Sequence, residues 1–236
     1  MRKYLPHIIT LFNLFCGCCA IVYVFNAQFI TAFWLVFIGG IADYSDGLVA
    51  RQLNVKSALG KELDSMADMV TFGIVPGVIL YVLLASGEGP LPSGQVVLKA
   101  LPAFLLSVFA GLRLARFNLD QRQTEDFIGL PTPATTVFVV GIMLIYEFDT
   151  YGLRQWVSNP ALLYPIILLF SYLLVAEIPM FSLKFKGMRW KGNEKRFVFL
   201  GLGILLLFLI KEAAFSLGII LYVLFSVFDK LRTRRS

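Results

Sequence analysis

Eight apolar stretches, each long enough to cross or nearly cross a bilayer, follow one another at roughly 7–25, 28–50, 63–86, 97–117, 132–148, 159–181, 196–210 and 212–229. A backbone in lipid must satisfy its own hydrogen bonds, so such segments fold as helices. Only 15% of the 236 residues are charged, where a soluble domain would carry about a quarter. The expected fold is all-α: a polytopic membrane bundle of about eight transmembrane helices in one domain over residues 1–236. The last two stretches are parted only by Lys211 and Glu212, which predicts a tight helical hairpin.

Orientation follows from the positive charges. With the N-terminus in the cytoplasm, 18 of the 21 Lys and Arg residues fall inside, and Lys99, Arg154 and Lys211 fall outside. Both termini are then cytoplasmic, in the plasma membrane of a bacterium. The formal charge of +6 reflects this bias and attraction to anionic lipid. Because the cations are dispersed among membrane loops, nucleic-acid binding is excluded. The first segment is longer than a signal-peptide core and no A-x-A site follows it, so no cleaved leader is expected. Cys16, Cys18 and Cys19 lie within it without a companion His or a C-x2-C pair and read as packing residues. His7, at the membrane entrance, reads as an interfacial side chain. Trp190 and Phe185 read as interface anchors in a basic loop.

Against this apolar background four carboxylates stand out. The chain reads D-Y-S-D-G-L-V-A-R from Asp43 and G-K-E-L-D-S-M-A-D from Gly60. Asp43 and Asp46 are three residues apart, Asp64 and Asp68 four, so each pair shares one helix face. Two such faces bring hard oxygen donors together, the environment Mg²⁺ or Mn²⁺ prefers. Charges at this depth cost roughly 2.5–3.5 kcal/mol each at mid-helix and are rarely left unpaired. Four Asp and one Arg do not balance without a cation. Gly47 and Gly60 clear space where a nucleotide approaches backbone, Ala50 keeps the same face low, and Arg51 offers planar donors to phosphate. One of the Asp residues can serve as general base toward a hydroxyl.

The spacing D-x2-D-G-x2-A-R-x8-G-x3-D-x3-D resembles, at every fixed position, the signature of the CDP-alcohol phosphotransferase family. Those positions are Asp43, Asp46, Gly47, Ala50, Arg51, Gly60, Asp64 and Asp68. The resemblance implies transfer of a phosphatidyl group from a CDP-linked lipid to an alcohol with release of CMP. It also implies a six-helix core (about 7–181, with the hairpin at 196–229 added), a homodimer, and a cavity open to the cytoplasm. Carried over, Asp43, Asp46 and Asp64 would be metal ligands. Asp68 would join them and accept the alcohol proton, and Gly47, Ala50, Arg51 and Gly60 would line the nucleotide pocket with Asn13 facing the cytidine.

Five flanking stretches, N-L-F-C-G at 13–17, G-K-E-L-D-S-M-A-D at 60–68, R-L-A-R-F-N at 113–118, F-I-G-L-P-T-P-A at 127–134 and I-P-M-F-S-L-K at 178–184, are similar to the serine-accepting branch of that family. They imply CDP-diacylglycerol and L-serine as substrates. Serine needs a cation for its carboxylate and an acceptor for its ammonium. Arg113 and Arg116, one turn apart, with Lys184 and Glu177, are the candidates. The rival acceptors are glycerol 3-phosphate or an inositol phosphate, which would demand further cations at the cavity mouth. A cation transporter is the rival class, but inverted repeats and broken helices in both halves are not found.

Overall fold

The computed structural model describes residues 4–54, 57–87, 95–119, 127–180 and 193–233. Among these, eight long helices follow in order: α1 Leu5–Phe25, α2 Phe29–Gln52, α3 Ala58–Ser86, α4 Leu98–Leu119, α5 Thr132–Phe148, α6 Pro160–Val175, α7 Glu194–Ile210 and α8 Ala213–Thr233. This is the all-α membrane bundle that the hydropathy predicts. The described strands are two residues each, β1 Phe127–Ile128 and β2 Pro179–Met180, paired antiparallel.

Local chemistry sets the helix ends. Asn26 turns its Nδ2 back onto Val22 O at 2.8 Å, and Ala27 takes a left-handed φ of 54° to reverse the chain into α2. Ser57 caps α3, its Oγ accepting the Gly60 amide at 3.2 Å. This adds more than a turn ahead of the hydropathy boundary at 63. Asn159 caps α6 through the Ala161 amide at 2.8 Å. The first turns of α4 are a 3₁₀ segment, Leu98–Phe104, containing Pro102. Helix α6 ends at Val175, short of the apolar stretch that runs to 181. Ala176 is extended, and Gly129 N and Leu130 N donate to Ile178 O and Leu173 O at 2.9 Å each.

Helices α1 to α4 have 21, 24, 29 and 22 residues, enough at 1.5 Å per residue for a hydrocarbon core of about 30 Å. The others offer shorter apolar stretches of 10–17 residues. Helix α3 is central: 72% of its apolar window is buried, against 28–39% for α1, α2 and α4. Ile79, Leu80 and Leu83 of α3 meet Met143 of α5 and Leu163 and Ile167 of α6 in the core. Phe138 and Phe170 stack with ring centroids 4.0 Å apart. The outer face of α1 shows Ile8, Leu11, Phe12 and Phe15, as a lipid-facing surface should.

The C-terminal hairpin turns at Lys211 and Glu212 as expected, and Glu212 Oε2 accepts the Thr150 hydroxyl at 3.0 Å. Helix α8 docks on α5, with Ser216 Oγ donating to Phe138 O at 2.8 Å. A Cβ on Gly141 would overlap Ser216, so that glycine permits the close crossing. One end of the bundle gathers the motif-bearing ends of α2 and α3 and, through Lys61 Nζ to Asn118 O at 2.9 Å, the end of α4. The opposite end gathers Lys99 O, bonded by Tyr164 Oη at 2.7 Å, with Arg154 and the hairpin turn.

Candidate active site

All eight fixed motif positions line one cavity of about 890 Å³. Its walls are α1 (Pro6, His7, Thr10), the end of α2 (Asp43 through Arg51) and the start of α3 (Ser57 through Asp68). Helices α1 and α3 come close because Gly60 carries no side chain; a Cβ there would lie 2.8 Å from His7 Cε1.

Asp43, Asp64 and Asp68 each place a carboxylate oxygen within 4.8 Å of the others. Asp68 Oδ1 is buried and has no hydrogen-bond partner among the described residues. A buried anionic oxygen without a donor, beside two more carboxylates, fits a hard divalent cation. Asp46 lines the same cavity outside that triplet, and its Oδ2 accepts the Thr10 hydroxyl. Arg51 is exposed at the rim. Asn13 is not among the lining residues: it is fully buried deeper along α1, where its Oδ1 accepts from Thr71 Oγ1 at 2.9 Å.

The two arginines of R-L-A-R part company. Arg113 is buried, interacts electrostatically with Asp68, and has Nε and Nη2 free of partners among the described residues. Arg116 is exposed and reaches Val175 O at 3.5 Å. Glu177 is exposed and engaged by another group. Lys184, Phe185 and Trp190 lie outside the described residues.

Parts of the flanking motifs serve as struts. Asn118 Nδ2 donates to Ser65 Oγ at 2.7 Å, tying α4 to the motif turn of α3. Gly129 adopts φ +79°, and a Cβ there would lie 2.7 Å from Leu174 O. Phe127 and Ile128 pair with Met180 and Pro179, so two of the five stretches meet each other. Gly17 allows Thr71 to pack against α1.

Thr10, Tyr44, Ser57 and Lys61, which the motif spacing does not mark, also line the cavity. Thr10 was legible: His7, Thr10 and Asn13 recur every three residues along an otherwise apolar helix. A second, apolar cavity of about 400 Å³ shares Asp43 and Tyr44 with the first. It runs between α2 (Phe33, Phe37, Ile41) and α5 (Pro133, Val137, Val140), and Phe215 of α8 also lines it.

Residues 3–178, which hold the first six helices, match the CDP-alcohol phosphatidyltransferase family. The chain is similar to a CDP-diacylglycerol–serine O-phosphatidyltransferase of Helicobacter pylori, 32% identical over 94% of this chain and 89% of the relative. It is also similar to the protein of that name from Bacillus subtilis, 35% identical over 75% of this chain and 89% of the relative. A third relative of that name, from Methanocaldococcus jannaschii, is 34% identical over 56% of this chain and 57% of its own length.

Proposed function

Because the chain belongs to the CDP-alcohol phosphatidyltransferase family, we propose that it transfers the phosphatidyl group of CDP-diacylglycerol to the hydroxyl of L-serine, giving phosphatidylserine and CMP. The observation that carries this is the adjacency of the two cavities. A polar chamber holding the carboxylate triplet lies beside an apolar groove, and Asp43 and Tyr44 line both. A donor with a nucleotide head and acyl tails has that same division.

Asp43, Asp64 and Asp68 would hold the metal, with Asp46, which lines the same cavity, beside them at the pyrophosphate site. The chemistry that Mg²⁺ or Mn²⁺ would supply there is neutralisation of the pyrophosphate and of the charge that develops on the leaving CMP. Gly47, Ala50 and Gly60 keep the nucleotide wall low, and Arg51 binds phosphate at the rim. The serine oxygen bonds to the phosphatidyl phosphorus, the anhydride bond breaks, and CMP departs with its electron pair. Asp68 accepts the serine proton. Arg113, buried with two unpartnered donor nitrogens, takes the serine carboxylate, and the apolar groove takes an acyl chain.

Among the described residues, the shortage of free cations in the cavity wall favours serine over a phosphorylated acceptor. Of the described lining residues only Arg51 and Lys61 are Lys or Arg, and Lys61 is engaged by Asn118 O. The reading also includes a cytoplasmic cavity with both termini inside, in support of which the motif ends of α2 and α3 sit opposite Lys99, Arg154 and Lys211. It includes one membrane domain over residues 1–236 and the homodimer that the family resemblance implies. The test is product identification. Purified protein given CDP-diacylglycerol, Mn²⁺ and isotopically labelled L-serine should yield labelled phosphatidylserine and equimolar CMP. Label that stays in free serine while CMP appears with glycerol 3-phosphate or an inositol phosphate would assign a different acceptor.

A further inference from the structure

Helix α3 changes its hydrogen-bond pattern one residue after Asp68. Met69–Ile74 form a π turn, in which Val75 N reaches back five residues to Val70 O. The cause is local. Pro76 has no N–H for the Phe72 carbonyl four residues earlier, and its ring crowds that oxygen. The Thr136 hydroxyl of α5 lies 3.0 Å from this carbonyl, as it does from Thr132 O of its own helix. One residue on, Gly73 O accepts the Ser107 hydroxyl of α4 at 2.8 Å. Gly77 makes that approach possible, since a Cβ there would overlap Ser107 Oγ. Hydroxyls from two helices therefore hold one irregular turn.

An extra residue in one turn shifts the phase of a helix by about 100°. In an uninterrupted α-helix Asp68, Val75, Ile79 and Val82 would share one face, being 7, 11 and 14 residues apart. Val75 to Leu80 and Val82 to Ala85 are all buried, which fixes the rotation of this part of α3 in the core. A regular helix would therefore turn Asp68, and Asp64 with it, about 100° from where the π turn sets them.

We propose that the π turn held by Thr136 and Ser107 positions the metal site, setting the rotation of Asp64 and Asp68 relative to the buried segment of α3 so that they meet Asp43 of α2. Thr136 and Ser107 act through α3 as positioning residues. The proposal rests on the reading of the triplet as metal ligands, and its test needs neither donor nor serine.

The test is Mn²⁺ titration of the purified full-length chain by electron paramagnetic resonance, alongside thermal unfolding. Thr136→Val, Ser107→Ala and the double variant P76A/T136V should each weaken Mn²⁺ binding, the double variant by about tenfold or more, as loss of groups that orient ligands does. Thr136→Ser should bind as the parent does. Ser86→Ala, which removes a hydroxyl bonded to Val82 O at the far end of the same helix, should also bind normally. Pro76→Ala favours regular helix, so it should unfold no lower than the parent while losing Mn²⁺ affinity. A purely structural role would make both losses travel together, and that outcome overturns the proposal. Parent-like Mn²⁺ affinity in a folded P76A/T136V overturns it as well. A parent that binds no Mn²⁺ overturns the metal reading of the triplet, and this inference with it.

Discussion

Thr10 on α1 donates its hydroxyl to Asp46 Oδ2 on α2, fixing one motif carboxylate in the cavity wall while the other three converge on each other. Asp46 is buried, so Thr10→Val removes a donor that a desolvated carboxylate needs. Such a loss costs about 1–3 kcal/mol, which thermal unfolding in detergent will read. Turnover should fall less in Thr10→Val than in Asp46→Ala, because the carboxylate itself is still present.

Arg113→Gln separates the two arginines of the R-L-A-R stretch. A charge-assisted hydrogen bond to the serine carboxylate is worth roughly 1.5–3 kcal/mol, so the KM for serine should rise about tenfold to hundredfold, with a smaller change in kcat. Arg116→Ala, at an exposed side chain with one long contact to Val175 O, should change it far less. Equal effects from both substitutions would remove Arg113 from the serine pocket.

Phe215→Ala opens one wall of the apolar groove. Competition between CDP-diacylglycerols of different tails should then shift toward longer or branched chains, with the serine KM unchanged. An unaltered tail preference would mean that the acyl chains lie elsewhere, along the lipid-facing surface.

Gly129→Ala places a Cβ 2.7 Å from Leu174 O, at a residue with φ +79°. Strain of this kind costs of order 1–3 kcal/mol, so the melting temperature should drop. The metal triplet lies on α2 and α3, so Mn²⁺ affinity of the folded fraction should persist.

Much of this site was legible because its chemistry demands unusual residues in an apolar chain. Asp43, Asp46, Asp64 and Asp68, with their small neighbours, announce a cation and a phosphate, and the structure gathers all eight motif positions around one cavity. Helix number was legible for a related reason, since a membrane leaves a backbone few choices. Hydropathy could not see where α6 ends: Leu173 to Met180 stays apolar except for Glu177, and only the extended Ala176 and the β1 pairing stop the helix. Nor could periodicity distinguish Arg113 from Arg116. They share a face by spacing, and packing of the α4 end, not sequence, buries one and exposes the other. The π turn was hidden because a regular 3.6-residue template fits an apolar run equally well in any phase. Pro76 was its visible sign.

CMP release by purified protein, followed with Mn²⁺ and L-serine present or omitted and compared between the parent and Asp68→Asn, tests the account most directly. The parent should release CMP only when both are present. Asp68→Asn should still bind CDP-diacylglycerol yet lose roughly 10²–10⁴ in rate, the loss typical of a missing general base. Release that needs no metal, release that needs no serine, or near-parental turnover by Asp68→Asn would contradict it.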